Sequence, residues 1–279
     1  MRGGRAALAG VALTAPLLVF LVLAYLVPFL GIVRWSVTLP RPGFSQYVKL
    51  AADPLVVSVL VRTFRISAAV TLASVVAGYA IGFVWVRGTL WQRRIAEFCI
   101  LIPFWISVLT RAFGWLALLS NRGLINTWLI DLGLLSQPLS MVSTEFAVIL
   151  GMTHFLTPFA VFPIASSMLG VDERVLLAAR GLGASRLRLF WTVFVPMTLP
   201  GIVGAGLTVF VFALGFFVTP AILGGGRSVM MAELVWLRMF QSPDWGLGAA
   251  ISVSLVVIVG LLLALLFRFA RPALVGAAR

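Results

Sequence analysis

Several residue types that build catalytic and metal sites are almost missing from this sequence. Its 279 residues include one cysteine, Cys99, and one histidine, His154. One residue of each kind can form neither a disulfide framework nor a His/Cys metal site. A membrane-embedded enzyme would need a cluster of nucleophiles, bases or metal ligands within its apolar segments, and the sequence shows none. Metal, disulfide and enzyme chemistry are therefore not expected.

Charge is also scarce. Only 10% of the residues are charged, whereas 62% are hydrophobic and the mean hydropathy is +1.13. Soluble domains carry about 25% charged residues, and no soluble fold could cover so much apolar surface. The composition predicts an all-α, polytopic membrane protein.

Long runs with few charges supply the membrane-spanning segments. A helix needs roughly 20 apolar residues to cross about 30 Å of hydrocarbon. Six spans are predicted near residues 7–33, 64–86, 98–119, 146–168, 199–219 and 247–267. The first apolar run is too long for the core of a secretory signal peptide, so we expect it to be retained as a helix.

The basic residues lie in alternating loops, although the net charge of +13 raises the possibility of a nucleic-acid partner. With the N-terminus inside, more than half of the 21 basic residues fall on the cytoplasmic side, namely Arg2, Arg5, Arg87, Arg93, Arg94, Arg174, Arg180, Arg186, Arg188, Arg268, Arg271 and Arg279. The positive-inside rule then predicts that both termini are cytoplasmic. A nucleic-acid face would need a contiguous basic surface with interleaved aromatic residues, and none is expected here.

The loop 171–196, between the fourth and fifth spans, has the pattern of two short helices. Asp172 favours a helix N-terminus, and Gly183 supplies a break. A second helix, capped by Ser185, is predicted to run to Pro196. From this pattern alone, an ordinary basic loop that only sets the topology remains an alternative.

The spacing within this loop resembles the EAA loop of binding-protein-dependent ABC import permeases. That pattern is Glu-Ala-Ala, three residues, Gly, and a hydrophobic stretch that closes on Pro. Leu177, Ala178 and Ala179 align with its first three positions, with Leu177 in place of Glu, and Gly183 follows four residues after Ala179. Other segments resemble the first permease of spermidine/putrescine importers, namely 101–107, 111–115, 119–126, 144–147, 217–226 and 244–250.

The resemblance implies the six-helix architecture of a type I ABC importer permease. It also implies an ATPase dimer, a second and different permease subunit, and a periplasmic solute-binding protein as partners. The implied ATPase-coupling residues are Glu173, Leu177, Ala178, Ala179, Arg180 and Gly183. Either Glu173 or Arg180 replaces the polar contact of the missing Glu, or Leu177 enters an apolar socket on the ATPase.

The energy source is expected to lie outside this chain. A phosphate-binding loop needs a Gly-Lys-Ser/Thr sequence, and the only lysine, Lys49, has no such neighbours. ATP and Mg²⁺ are therefore expected on the partner ATPase. The alternative is an ion-gradient-driven secondary transporter, which requires ionisable residues near the bilayer midplane. His154 is the candidate for that role.

Four residues are candidates for the pathway or its gate. Arg111 and Glu145 are predicted at similar depth near outer helix ends, where they either form an ion pair or point independently to the interface. His154 either gates the pathway or, as we favour, makes an interhelical hydrogen bond. Pro158 kinks its helix, either to line a cavity or to fit its packing.

The predicted outer surface is net positive and offers a polycation no attraction, so the expectation of a polyamine substrate rests on the family resemblance alone.

Overall fold

The computed structural model describes residues 2–276, with side chains described for 14–264 and for Arg268. Over this range the chain is helical and contains no strand. The helices are α1 (Arg2–Thr38), α2 (Ser45–Ala52), α3 (Pro54–Arg87), α4 (Leu90–Trp105), α5 (Val108–Leu119), α6 (Leu124–Asp131), α7 (Glu145–Leu169), α8 (Glu173–Gly181), α9 (Arg186–Leu189), α10 (Val195–Leu214), α11 (Val218–Leu223), α12 (Met231–Trp236) and α13 (Trp245–Gly276). Two π-helical turns, Phe190–Phe194 and Leu237–Gln241, follow α9 and α12.

Five helical segments of the described chain are long and apolar enough to cross a bilayer. They are 14–38, 54–87, 145–169, 186–214 and 245–264. A sixth span would consist of Leu90–Trp105 and Val108–Asp131, which are bent by 105° at their junction. The side chains of Arg2, Arg5, Arg271 and Arg279, used above to orient the chain, lie outside the described ones.

The bend corrects the prediction of one continuous helix over 98–119. Ile106 and Ser107 have extended backbones, with ψ of 132° and 142°. Pro103 contributes because its ring removes one backbone donor from the last turn of α4. The third predicted span is therefore two helices at a sharp angle.

The chain divides into two compact units, of which the first comprises residues 1–56 and 234–258. Its α2 packs through Gln46, which is 1% exposed and whose Nε2 donates to the Leu39 carbonyl and to Asp244 Oδ1, at 3.3 Å each. Trp35 of α1 meets Trp245 edge to face, with ring centroids 5.7 Å apart. The apolar stretch 17–30 of α1 is exposed.

The second unit comprises residues 57–233 and 259–279 and has α7 at its centre. Both faces of α7 are apolar, and α10 packs along it. Small residues allow the close approach: a Cβ added at Gly78 of α3 would lie 2.8 Å from Ala160 Cβ. Gly201 of α10 similarly leaves no room for a Cβ against Pro163 and Ser167 of α7. Such contacts hold helices together in lipid, where the hydrophobic effect does not.

The second short helix of the loop does not stop at Pro196, as the sequence predicted. It continues through the π-helical turn Phe190–Phe194 into α10. The Val195 amide donates to the Phe190 carbonyl, five residues earlier. This wider turn accommodates Pro196, whose ring would clash with the carbonyl four residues before it in a regular α-helix.

Candidate functional site

The loop between α7 and α9 begins and breaks where the sequence predicted. The Asp172 side chain accepts the Arg174 amide at 2.8 Å and caps α8. Gly183 has φ of +84°, and its amide donates to the Arg180 carbonyl at 2.9 Å. The Ser185 hydroxyl then accepts the Arg188 amide at 3.3 Å and caps α9. Local capping and one left-handed glycine therefore define α8.

One face of α8 carries three of the predicted coupling residues, Glu173, Leu177 and Arg180. Glu173 and Arg180 lie seven residues apart and so share one face. The Glu173 carboxylate accepts from Arg87 Nη1, at the end of α3, at 2.7 Å. Leu177 lies four residues from Glu173 and three from Arg180, hence on this same face, and is 62% exposed; Leu182 just beyond the helix is 90% exposed.

The two alanines of the motif differ in their surroundings. Ala178 is exposed, whereas Ala179 is half-buried. Glu173, one of the two charged residues considered as substitutes for the missing acid, is paired with Arg87 within the chain. The exposed Leu177 and Leu182 form an apolar surface of the loop.

The ion pair between Arg111 and Glu145, one of the two alternatives for these residues, is not among the ion pairs of the described residues. Glu145 begins α7 and is bonded instead to two arginines of α3, Arg65 Nη2 at 2.5 Å and Arg62 Nε at 3.5 Å. Arg62 also donates to the Arg227 carbonyl at 3.1 Å. The sequence signal for a shared acidic partner was the three-residue spacing of Arg62 and Arg65, which places both arginines on one helix face.

Arg111 lies inside the bend between α4 and α5. It is 8% exposed and donates to the carbonyls of Pro103 and of Ile106, the latter at 2.8 Å. Its guanidinium also lies 4.8 Å from the ring centroid of Phe155 in α7. The break leaves carbonyls at the end of α4 without helical partners, and Arg111 supplies the donors that they need.

His154 makes the interhelical hydrogen bond that the sequence analysis favoured. Trp115 Nε1 of α5 donates to His154 Nδ1 of α7 at 3.1 Å. Since Nδ1 is the acceptor, the neutral ring carries its proton on Nε2. Pro158, one turn further along α7, is buried.

A row of aromatic rings, which the sequence analysis did not predict, lies beside this bond. Phe155 and Phe216 have centroids 5.0 Å apart, as have Phe159 and Phe212. Phe155 and Phe159 are stacked at 5.9 Å, and Phe104 of α4 lies 5.7 Å from Phe159. The row connects α4, α7 and α10. In the sequence these rings appear only as aromatic residues at helical spacing, which cannot be distinguished from ordinary core residues.

Apolar spanning helices, joined by a capped loop helix with an exposed leucine surface, are the features of a transmembrane transport subunit. A family model described as binding-protein-dependent transport system inner membrane component matches residues 69–274, and the chain belongs to this family. It is thus an integral inner-membrane protein and a permease of a binding-protein-dependent ABC importer.

Two relatives are spermidine/putrescine transport system permease proteins PotB. The protein of Escherichia coli is 35% identical over 229 residues, which cover 81% of this chain and 82% of the relative. The protein of Haemophilus influenzae is 33% identical over 216 residues, which cover 77% and 76%.

A solved structure shares the fold. It is the bacterial alginate ABC transporter in complex with an alginate pentasaccharide-bound periplasmic protein. A chain of that complex matches with a TM-score of 0.79 at 14% identity, covering 97% of this chain and 96% of its own. The architecture is accordingly that of an ABC importer permease.

Proposed function

We propose that α8 is the contact through which a partner ATPase drives this permease. The observation that carries the proposal is the exposed surface of Leu177, on a short helix that Glu173 ties to Arg87 at the end of α3, and of Leu182 just after that helix. Force applied to α8 would reach a spanning helix directly. In this proposal Leu177 enters an apolar socket, which replaces the polar contact of the usual Glu.

The remaining partners follow from the same proposal. ATP and Mg²⁺ bind to an ATPase dimer, and α8 and both chain termini face the cytoplasm. A periplasmic binding protein delivers the solute, and a second, different permease completes the pathway. The exposed apolar stretch 17–30 of α1 supports a partner helix or lipid around the first unit.

A polyamine is the proposed class of solute. The names of the two PotB relatives support it, and so does the aromatic row Phe104, Phe155, Phe159, Phe212 and Phe216. Aromatic faces attract ammonium groups within about 6 Å of the ring centroid. Arg111 already uses the Phe155 ring in this way, so the others would serve the solute.

The coupling proposal is tested with the assembled importer in liposomes. Leu177→Asp should leave the chain inserted but uncouple ATP hydrolysis from uptake, because a charge cannot enter an apolar socket without a partner. Leu134→Asp, at another exposed leucine, is the matched control. Unchanged coupled uptake by Leu177→Asp would refute the coupling role of α8.

Two further measurements separate the alternatives. Uptake by the purified chain alone under an ion gradient would identify a secondary transporter and contradict the ATPase proposal.

The solute is tested in the assembled importer by measuring the uptake of radiolabelled putrescine in the presence of spermidine or of uncharged solutes. In a polyamine permease, spermidine should inhibit putrescine uptake and the uncharged solutes should not.

A further inference from the structure

A basic cavity lies where the end of α3 meets α8 and the π-helical turn, within the second unit. Its volume is about 340 Å³, and three arginines line it, Arg87, Arg180 and Arg186. The acid bonded to any of them is Glu173, which pairs with Arg87. Arg87 Nε is shielded from solvent and has no hydrogen-bond partner among the described residues. The cavity is therefore positively charged, and one of the arginines that line it has an unused buried donor.

The other walls of this cavity are apolar. Phe83, Phe190 and Phe194 line it, and the Arg87 guanidinium lies 5.5 Å from the Phe194 ring centroid. A ligand that matches this cavity therefore has an anionic group and an apolar group in the same molecule.

Two more cavities lie along the seam between α3 and α10, and each shares lining residues with the one before it. Phe190 also lines a second cavity of about 290 Å³, together with Val75 and Ile202. These two residues in turn line a third cavity of about 520 Å³ that continues past Gly206. Val75 lies twelve residues from Arg87 on α3, which is about 18 Å along a helix. The three cavities thus follow one another from the basic cavity into the apolar part of the spans, and we call the last two the α3–α10 groove.

We propose that this site, the Arg87–Arg180–Arg186 cavity with its groove, binds one anionic phospholipid. Its phosphate would be held by the three arginines, and an acyl chain would lie in the α3–α10 groove. Arginine clusters at the ends of spanning helices favour anionic headgroups. A free phosphate would not use the groove, and an apolar helix of a partner subunit would leave the arginine charges unmatched. The leaflet, inner in this case, follows from the orientation proposed above.

The bound lipid would join the spanning helix α3 to the two loop helices α8 and α9. Arg87, Arg180 and Arg186 belong to α3, α8 and α9. One phosphate would therefore hold the coupling helix against the spanning helix that it moves. Anionic lipid would become a structural part of the coupling site.

Native mass spectrometry of the full-length chain in detergent, alone and in the assembled importer, tests the proposal. Dioleoyl-phosphatidylglycerol should bind with one retained molecule, and dioleoyl-phosphatidylcholine should not. Arg180→Gln and Arg186→Gln should each weaken phosphatidylglycerol binding roughly fivefold. Arg174→Gln and Arg188→Gln remove charge from the same helices outside the cavity and should leave binding unchanged. Equal losses in all four variants would overturn the site.

Two arms distinguish the lipid from other occupants. Gly206→Leu places a larger side chain in the groove, and its Cβ would meet Thr71 Cγ2 at an ordinary contact distance of 3.9 Å. It should weaken dioleoyl-phosphatidylglycerol and leave glycerol phosphate binding unchanged. Inorganic phosphate that displaces the lipid at equal concentration would indicate a free-anion site, and loss of the lipid on ATPase assembly would assign the cavity to the ATPase. Either result overturns the lipid proposal.

Discussion

At the scale of single residues, Arg111 shows how a break in a spanning segment is made tolerable. A bent helix in a bilayer exposes carbonyls that water cannot reach. Arg111 donates to the carbonyls of Pro103 and Ile106 and rests on the Phe155 ring. Its planar group makes these contacts simultaneously, which a lysine ammonium on a flexible stem cannot do.

We therefore expect Arg111→Lys to destabilise the protein by about 1–3 kcal/mol, the cost of leaving a buried carbonyl without its donor. Thermal unfolding of the purified protein in detergent measures this. Arg122→Lys is the control because Arg122 is exposed. An equal melting temperature for Arg111→Lys and the unmodified protein would show that the bend does not need the guanidinium.

Glu233 of α12, outside the spanning segments, is a buried acid. It is 6% exposed, and its Oε2 has no hydrogen-bond partner among the described residues. Burial raises the pKa of the Glu233 carboxyl, and the hydrogen bond from the Met230 backbone offsets part of this rise. The folded protein therefore keeps this proton at pH values where the unfolded chain has lost it.

Stability should consequently fall as the pH rises from the unfolded pKa of about 4.3 through the raised folded pKa. Glu233→Gln should melt at a higher temperature than the unmodified protein at pH 8, with the difference shrinking towards pH 4. Asp131→Asn, at an exposed carboxyl, should show no such trend. A melting temperature that Glu233→Gln lowers at pH 8 would mean that the carboxylate is paired in the protein.

At the scale of elements, α8 depends on one backbone conformation. Gly183 has φ of +84°, whereas Gly181 at the end of the same helix has no positive φ and open space around it. A side chain is strained in the left-handed region and favourable within a helix.

We expect Gly183→Ala to cost about 1 kcal/mol locally and to loosen the end of α8, because an L-residue resists positive φ. Hydrogen exchange of the amides in 173–189 should become faster. Gly181→Ala should leave exchange unchanged or slow it. Equal exchange in both variants would show that the turn at Gly183 is not what ends α8.

At the scale of the whole molecule, small residues rather than hydropathy determine which helices meet. Gly78 allows α3 to approach α7, and Gly201 allows α10 to approach it. The surrounding lipid is as apolar as the core, so only close packing favours these neighbours.

Gly201→Leu should therefore insert into the membrane but lose its compact form, because the added side chain meets Pro163 and Ser167. Size-exclusion chromatography in detergent should show aggregation or a broadened peak. Gly260→Leu, in open space on α13, should elute as the unmodified protein does. A single sharp peak for Gly201→Leu would show that the α7–α10 approach can relax.

The sequence by itself determined the helical class, most of the spanning segments and the start and break of α8. These depend on local causes, namely apolar length, the Asp172 and Ser185 caps and the glycine at 183. Only the tertiary structure decided the bend after Trp105 and the pairing of Glu145 with Arg65 rather than Arg111. It also decided the position of the α3–α10 groove next to the basic cavity. The physical reason is that a bend, an ion pair or a groove depends on which helices become neighbours, and in an almost uniformly apolar chain that choice is made by packing.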